Sequence, residues 1–494
     1  MSFALASVIF IVGISVLFYL NRDKALRTSK ALWLPVIWLW IIGSRPVSGW
    51  LGALGFGSQS GGGLDAQLDG SPTDALILAV LLAGALIVLY RRKSRTTALL
   101  KASLPVLIYI TYCLISVSWS PFPDVAFKRW IKSVGDLAMV LVVLTEPDPI
   151  AALHRVFSRV GFILLPASVL LNRYSELGHG IDEFGGFSNT GVTTNKNTLG
   201  LITFVIALGA LWNLRALLRG PRQPNRGRRL LAQGTLLAFG VLVLQMAHSA
   251  TSISCFTLGG GLMILTGLHW VGRRPGRVHG VVLAITIAAG VGMLFGADEV
   301  AVHSLGRNTN LTGRTEIWKT VIPMARNPII GAGFESFWNA SAATLHSFTG
   351  AKGRMFSNLV SAHNGYIDVY LNLGWVGVCL IALILISGYW RGVAAFRRDP
   401  EVGGLILAFI FAAAIYNITE AGFRMLTPIW MFLLWAVLAA GGTASGLLKS
   451  GAAQRHGAKT RRPSGRSSRL ELDLPPQGET IEGVGDVLPK LWNA

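Results

Sequence analysis

Long apolar runs broken by short polar joints dominate the chain, as at 3–20, 75–90 and 281–295. A bilayer core of about 30 Å takes roughly 20 apolar residues per helix, the length of these runs. Lipid offers backbone groups no hydrogen-bond partner, so runs of this kind must be helices, and the alternation of a barrel strand is missing. The pattern predicts an all-α, polytopic membrane protein of about thirteen helices. They fall near 3–20, 31–43, 74–90, 98–117, 130–145, 153–172, 198–217, 230–247, 251–269, 279–296, 366–389, 403–417 and 426–447. The run at 3–20 has no basic residues before it and no A-x-A site after it, so it reads as a retained helix.

Composition agrees, with 52% hydrophobic and 14% charged residues in 494. The formal charge of +20 matters through its placement. Arg22, Lys24, Arg27 and Lys30 share one joint, and Arg91, Arg92, Lys93, Arg95 and Lys101 another. Arg215, Arg219, Arg222, Arg226, Arg228 and Arg229 follow, then Arg273, Arg274 and Arg277, then Arg391, Arg397 and Arg398. Counting helices puts all these joints on one side, with 145–153 the weakest, and the positive-inside rule makes that side cytoplasmic. The N-terminus is then outside and the C-terminus inside. Residues 1–447 form the membrane domain, 297–365 a large exterior loop inserted in it, and 448–494 a basic, Pro/Gly/Ser-rich tail expected to be disordered and able to touch lipid. No RNA or DNA module accompanies the charge, so nucleic acid is not an expected partner. Cys113, Cys255 and Cys379 lie in apolar segments and read as packed small residues.

The exterior loop has room for its own structure, and such loops are usually functional. Its stretch 311–326, LTGRTEIWKTVIPMAR, predicts an amphipathic helix at the interface, capped by Thr312, with Pro323 placed to kink it. Asn327-Pro328 stops it and 331–334 turn. The loop ends SAHNGYIDVYLNLGWVG, which sets His363, Asn364 and Asp368 at the mouth of the next helix.

GRTEIW, NPIIGAGFESFW and SAHNGYIDVYLNLGWVG together resemble the signature of the O-antigen ligase and polysaccharide polymerase superfamily, and TNKNTLG at 194–200 is similar to a stretch of its exopolysaccharide-polymerase branch. The likeness runs from the seventh helix to the twelfth. It implies a bacterial inner-membrane glycosyltransferase with a C-type-like helical fold. Such an enzyme acts at the periplasmic face on undecaprenyl-diphosphate-linked glycan, without metal, cofactor or nucleotide sugar. Its implied partners are membrane lipids and other polysaccharide assembly and export proteins.

The residue chemistry can be read beside that likeness. Transfer from a lipid diphosphate needs cations for a leaving group that gains charge, and a guanidinium forks onto phosphate oxygens. Arg314, matching the arginine of the family's G-R-T element, is the candidate; the alternative is a snorkelling interfacial arginine. An acceptor hydroxyl needs a base that titrates near neutrality, and His363 in its S-A-H-N context fits; the alternative is a structural or capping histidine. Lys196 and Asn197 are candidate contacts to diphosphate or sugar, or else interface anchors. Asn364, Glu335, Asp368, Glu420 and Arg424 lie at the outer edge, the ionisable ones placed to orient His363 or bind sugar hydroxyls. Where many members carry Ser-Arg/Lys-Thr, this chain reads HSATS with Ala250 in the basic position. Arg307, Lys196, Arg424 and His248 are the possible substitutes.

No P-loop, H-E-x-x-H, spaced Cys/His set or D-x-D pair is present, and 61–63 is a glycine spacer. Three functions stay open: a polymerase of lipid-linked repeat units, a ligase moving finished glycan to a lipid A-core or protein acceptor, and a flippase. A flippase would use internal repeats and midplane charges. The candidates here lie at helix ends, and TNKNTLG favours the polymerase.

Overall fold

In the computed structural model the described residues are 2–23, 28–56, 71–181, 186–220, 225–272, 274, 276–294, 311–347 and 359–448. Arg307, the spacer at 61–63 and the tail from Lys449 onward lie outside them.

Among the described residues, helices lie within each of the predicted stretches, though not as thirteen unbroken spans. Among the described residues seven are long and apolar enough to cross a membrane, or up to nine if each of two bent pairs is one span. Local chemistry starts them. Pro72, Pro123, Pro149, Pro400 and Pro428 open helices, where the missing N–H costs nothing. Side chains of Ser71, Asp148, Asn195, Asn364 and Asp399 cap first turns. The helices Lys196–Arg219 and Pro400–Thr419 are each 72% buried over their apolar window and form the centre, whereas Phe3–Leu20 is 11% buried and turns its apolar surface outward.

Several expectations need correcting. The stretch 98–117 is not one helix: Lys93–Lys101 meets Leu104–Trp119 at 91°. Arg391 donates to the carbonyl of Ala102 exposed at that corner. Among the described residues the one exception to an all-α fold is a short antiparallel ribbon, His179–Ile181 with Phe187–Asn189. The loop helix is Leu311–Val321, with Thr312 inside its first turn rather than at the cap, and a 3₁₀ turn over Ile322–Met324 absorbs Pro323. Its apolar face does not lie against lipid. Ile317 and Val321 pack into a satellite core with Phe337, Trp338, Leu359 and Leu371.

The helix Gly365–Arg398 breaks at Gly374 (φ 63°). In an unbroken helix the N–H groups of residues 375 and 376 would bond the carbonyls of 371 and 372. Here Trp375 and Val376 donate to Pro328 and Ile329 at 2.9 and 3.1 Å, while Leu371 and Asn372 accept from Ala332 and Gly333 at 3.0 and 2.8 Å. The segment 328–333 thus supplies partners for four backbone groups at the break, and Tyr112 Oη donates to a fifth, the carbonyl of Leu373, at 3.1 Å. Gly331 (φ 71°) and Gly374 are required because a Cβ would lie 2.4 Å from Asn372 and 2.1 Å from Ile329 respectively.

The two ends of the helices differ. At one, Arg215 and Arg219 donate to the carbonyls of Met263 and Gly267, Arg229 pairs with Asp23, and Arg398 donates to Thr443. The weakest basic joint belongs there too, since buried Glu146 accepts from Arg92 at 2.8 Å and from Ser29. At the other end meet the start of Gly365–Arg398, the end of Pro400–Thr419 and the loop leading to Pro428–Ala444.

Gly374→Ala should destabilise the protein by more than about 1–2 kcal/mol, the cost of a left-handed L-residue before the clash is counted. Size-exclusion of a fluorescent fusion in detergent would show it as loss of the monodisperse peak, and an unchanged peak and melting temperature would contradict the account.

Candidate functional site

Glu420 organises the end opposite the arginine-rich joints. It follows the helix Pro400–Thr419 and is 5% exposed. Arg314 Nη2 donates to its Oε1 at 2.7 Å, and His363 Nδ1 lies 3.3 Å from its Oε2. A carboxylate so buried needs charged or hydrogen-bonding partners, and here the two predicted functional residues are those partners.

The backbone fixes this arrangement. The Glu420 carbonyl accepts from Gly365 N–H at 3.0 Å, which joins the end of one helix to the start of the other. Asn364 caps that start: its Oδ1 accepts from Tyr366 and Ile367 N–H, and its Nδ2 donates to Ile418 O at 2.8 Å. His363 therefore takes a left-handed conformation (φ 49°), unusual for a residue with a Cβ. Trp318 Nε1 donates to Ala362 O at 2.8 Å, tying the helix that carries Arg314 to the segment that carries His363.

A second group adjoins the first. Arg424 Nη2 donates to Glu335 Oε2 at 3.1 Å, and Arg129, 2% exposed, donates to the carbonyl of Glu335 and to Asn339 Oδ1. Asp368 Oδ1 accepts from Trp338 Nε1 and from Ala362 N–H. Tyr109, Phe334, Trp338 and Phe423 line one narrow cavity with Glu335, Asp368 and Arg424, the mixture of aromatic faces and polar groups that suits a sugar.

Of the residues predicted from sequence, Arg314 and His363 meet on one carboxylate. Asn364 is occupied as a cap on both sides of its amide. Glu335, Asp368 and Arg424 share the neighbouring cavity. Lys196 and Asn197 open the helix Lys196–Arg219 at the same end but one helix away: Gly200 packs against Ser249 and Ser252, and Thr251 reaches Thr419 at 2.8 Å. His248 ends the helix Arg226–Ala247 there, and Ala250 begins the next. Arg307 is outside the described residues. Glu420 was one of several possible partners of His363 in the sequence, and the structure selects it. Arg129 and Asn417 were missed. Asn417, fully buried, accepts from Gly422 and Phe423 N–H at 2.7 and 2.9 Å and so shapes the loop bearing Arg424.

These features define a multi-pass helical membrane protein with its candidate chemistry gathered at one end of the bundle. The model of the family described as O-antigen ligase matches residues 233–382, which include the Gly374 break, Arg314 and His363. The chain is also 26% identical over 348 residues to the exopolysaccharide production protein ExoQ of Rhizobium meliloti (strain 1021), covering 66% of this chain and 74% of that one. The chain is thus similar to the O-antigen ligase family over the region that carries the site, and to an exopolysaccharide production protein over 66% of its length.

Asn417→Ala strips two buried N–H groups of their acceptor, at about 1–3 kcal/mol for each donor left unsatisfied. The melting temperature in detergent should fall clearly, and an unchanged value would show that the loop is not held in this way.

Proposed function

We propose that this protein is a glycosyltransferase that polymerises undecaprenyl-diphosphate-linked repeat units at the periplasmic face of a bacterial inner membrane. The observation that carries this reading is the convergence of Arg314 and His363 on Glu420 at the end away from the arginine-rich joints. If those joints face the cytoplasm, as the positive-inside rule requires, Glu420 faces the periplasm and the C-terminus is cytoplasmic.

In this reading Arg314 binds the donor diphosphate. One arm of its guanidinium is held by Glu420, and its remaining N–H donors suit phosphate oxygens. Arg424, beside the cavity, is the second cation, in place of the basic residue lacking at Ala250. With His363 donating Nδ1–H to Glu420, the ring's lone pair is on Nε2, which takes the proton of the acceptor hydroxyl. The acceptor oxygen bonds to the anomeric carbon from the face opposite the leaving group as the carbon–oxygen bond to the diphosphate breaks, so the centre inverts. Glu420 then stabilises the imidazolium, and undecaprenyl diphosphate leaves on the arginines. Lys196, Asn197 and the cavity carboxylates Glu335 and Asp368 complete the substrate-binding surface, and Asn364 supports it as the cap that sets His363. No step calls on a metal.

A ligase would share this donor and these roles. The TNKNTLG stretch and the likeness to an exopolysaccharide production protein favour the polymerase. A strain lacking the gene separates them: loss of a polymerase leaves single repeat units, loss of a ligase leaves long chains on undecaprenyl diphosphate, and unchanged glycan with altered lipid distribution indicates a flippase.

Arg314→Ala and His363→Ala should each reduce transfer in vesicles with defined donor and acceptor to background while membrane protein levels hold, and a chelator should leave the wild-type rate unchanged. Near-normal transfer by the His363 variant would remove the assigned base, and strong inhibition by the chelator would remove the metal-free mechanism.

A further inference from the structure

Outside the groups already assigned, the helix Pro123–Leu144 carries two buried ionisable side chains, Arg129 at 2% exposure and Asp136 at 0%. Seven residues separate them, two helical turns, which sets them on one face about 10 Å apart along the axis. Ionised groups buried within membrane bundles are costly and are kept where they do something specific.

Each grips a different part of the site. Asp136 Oδ2 accepts from Leu426 N–H at 2.8 Å, and its Oδ1 accepts from Trp38 Nε1 at 2.8 Å. The indole reaches it because residue 135 is glycine, where a Cβ would lie 2.4 Å from the ring. Leu426 is left-handed (φ 56°), and Thr427 Oγ1 donates to the carbonyls of Gly422 and Arg424. The loop is thus pinned two residues beyond Arg424. Two turns back, Arg129 holds the carbonyl of Glu335 and the side chain of Asn339. The two gripped segments supply the two halves of the Glu335–Arg424 ion pair.

We propose that the helix Pro123–Leu144 is a brace for the site, with Arg129 and Asp136 as positioning residues that fix where Glu335 and Arg424 meet. The kinetic consequence rests on the transferase reading above; the geometric one does not. The grips on Leu426 and on Glu335 are made to backbone groups, so they set where a segment lies without competing for the carboxylate or guanidinium it presents. The brace therefore acts on donor binding through Arg424.

The geometric test uses full-length protein with Cys113, Cys255 and Cys379 changed to Ala, carrying Glu335→Cys and Arg424→Cys and treated with a short bismaleimide. A second pair, His279→Cys with Tyr389→Cys, reports on a distant contact of 2.6 Å. Asp136→Leu and Arg129→Gln should each cut cross-linking of the first pair severalfold and leave the second unchanged, with Asp136→Asn, which keeps one acceptor, in between. Unchanged yield in the first pair, or equal loss in both pairs, would overturn the brace.

In vesicles with a lipid-linked glycan donor, Asp136→Asn and Arg129→Gln should raise the donor KM about tenfold while kcat changes less than about threefold. In an Arg424→Gln background the same substitutions should add less than about twofold, because they act through that residue, whereas additive losses would overturn the assignment. If the wild-type protein transfers no glycan, the transferase reading fails and the cross-linking result still decides the brace.

Discussion

The break at Gly374 is the constraint on which the site depends. A helix interrupted inside a membrane must have its freed backbone groups bonded elsewhere, and here 328–333 supplies two acceptors and two donors in register. That match fixes the segment 328–333 against the helix. Phe334, Glu335 and Trp338 follow directly, while Asp368 lies two turns before the break and His363 just outside the helix start. Asn372 links the two sides, donating to Asp368 O and accepting from Phe337 N–H. The wall of the cavity is therefore set by main-chain bonding before any side-chain chemistry is considered.

From that frame the charges separate by function. At the arginine-rich end the guanidiniums are spent largely on helix-end carbonyls, which stitches neighbouring helices together. At the other end each of the two described candidate arginines meets a glutamate, Arg314 with Glu420 and Arg424 with Glu335. The strained φ angles fall in the same region, at Glu335, His363 and Leu426, with His248 at the same end of the bundle. Residues held in such conformations persist where the surroundings over-determine them. Here the determinants are the Asn364 cap, the bond from Gly365 to Glu420 and the hold of Asp136 on Leu426.

What the sequence made legible follows from how local each signal is. Helix positions came from runs of apolar residues and caps within one turn, so a largely helical chain with apolar spans was legible, although among the described residues seven to nine spans qualify rather than thirteen. The bend between Lys101 and Leu104 was not legible, because apolar periodicity continues through it and only the carbonyl taken up by Arg391, far away in sequence, marks the corner. Arg314 and His363 stood out because their motifs are contiguous. The choice of Glu420 over Asp368 or Glu335 as the partner of His363 was illegible, since it turns on a main-chain bond between residues 365 and 420. Arg129 drew no reading from the sequence: it stands between lysines in KRWIK, and nothing within a turn of it tells that it is 2% exposed.

If Arg314 and Arg424 hold a phosphate, as proposed, pairing each with a glutamate looks at first like a poor way to do it. The alternative is worse: an unpartnered guanidinium at the edge of a low-dielectric bundle either retreats to water or collapses onto whatever carbonyl is near, and its position is lost. Glu420 and Glu335 hold the cations in place at the cost of part of their attraction for an incoming anion. A guanidinium has five N–H donors and a carboxylate occupies only some of them, so orientation is kept while donors remain for phosphate. A lysine could not divide its charge by direction in this way. The same carboxylate that steadies Arg314 also faces the imidazole of His363, so one buried group sets the spacing between guanidinium and imidazole, and a shift of Glu420 would move both together.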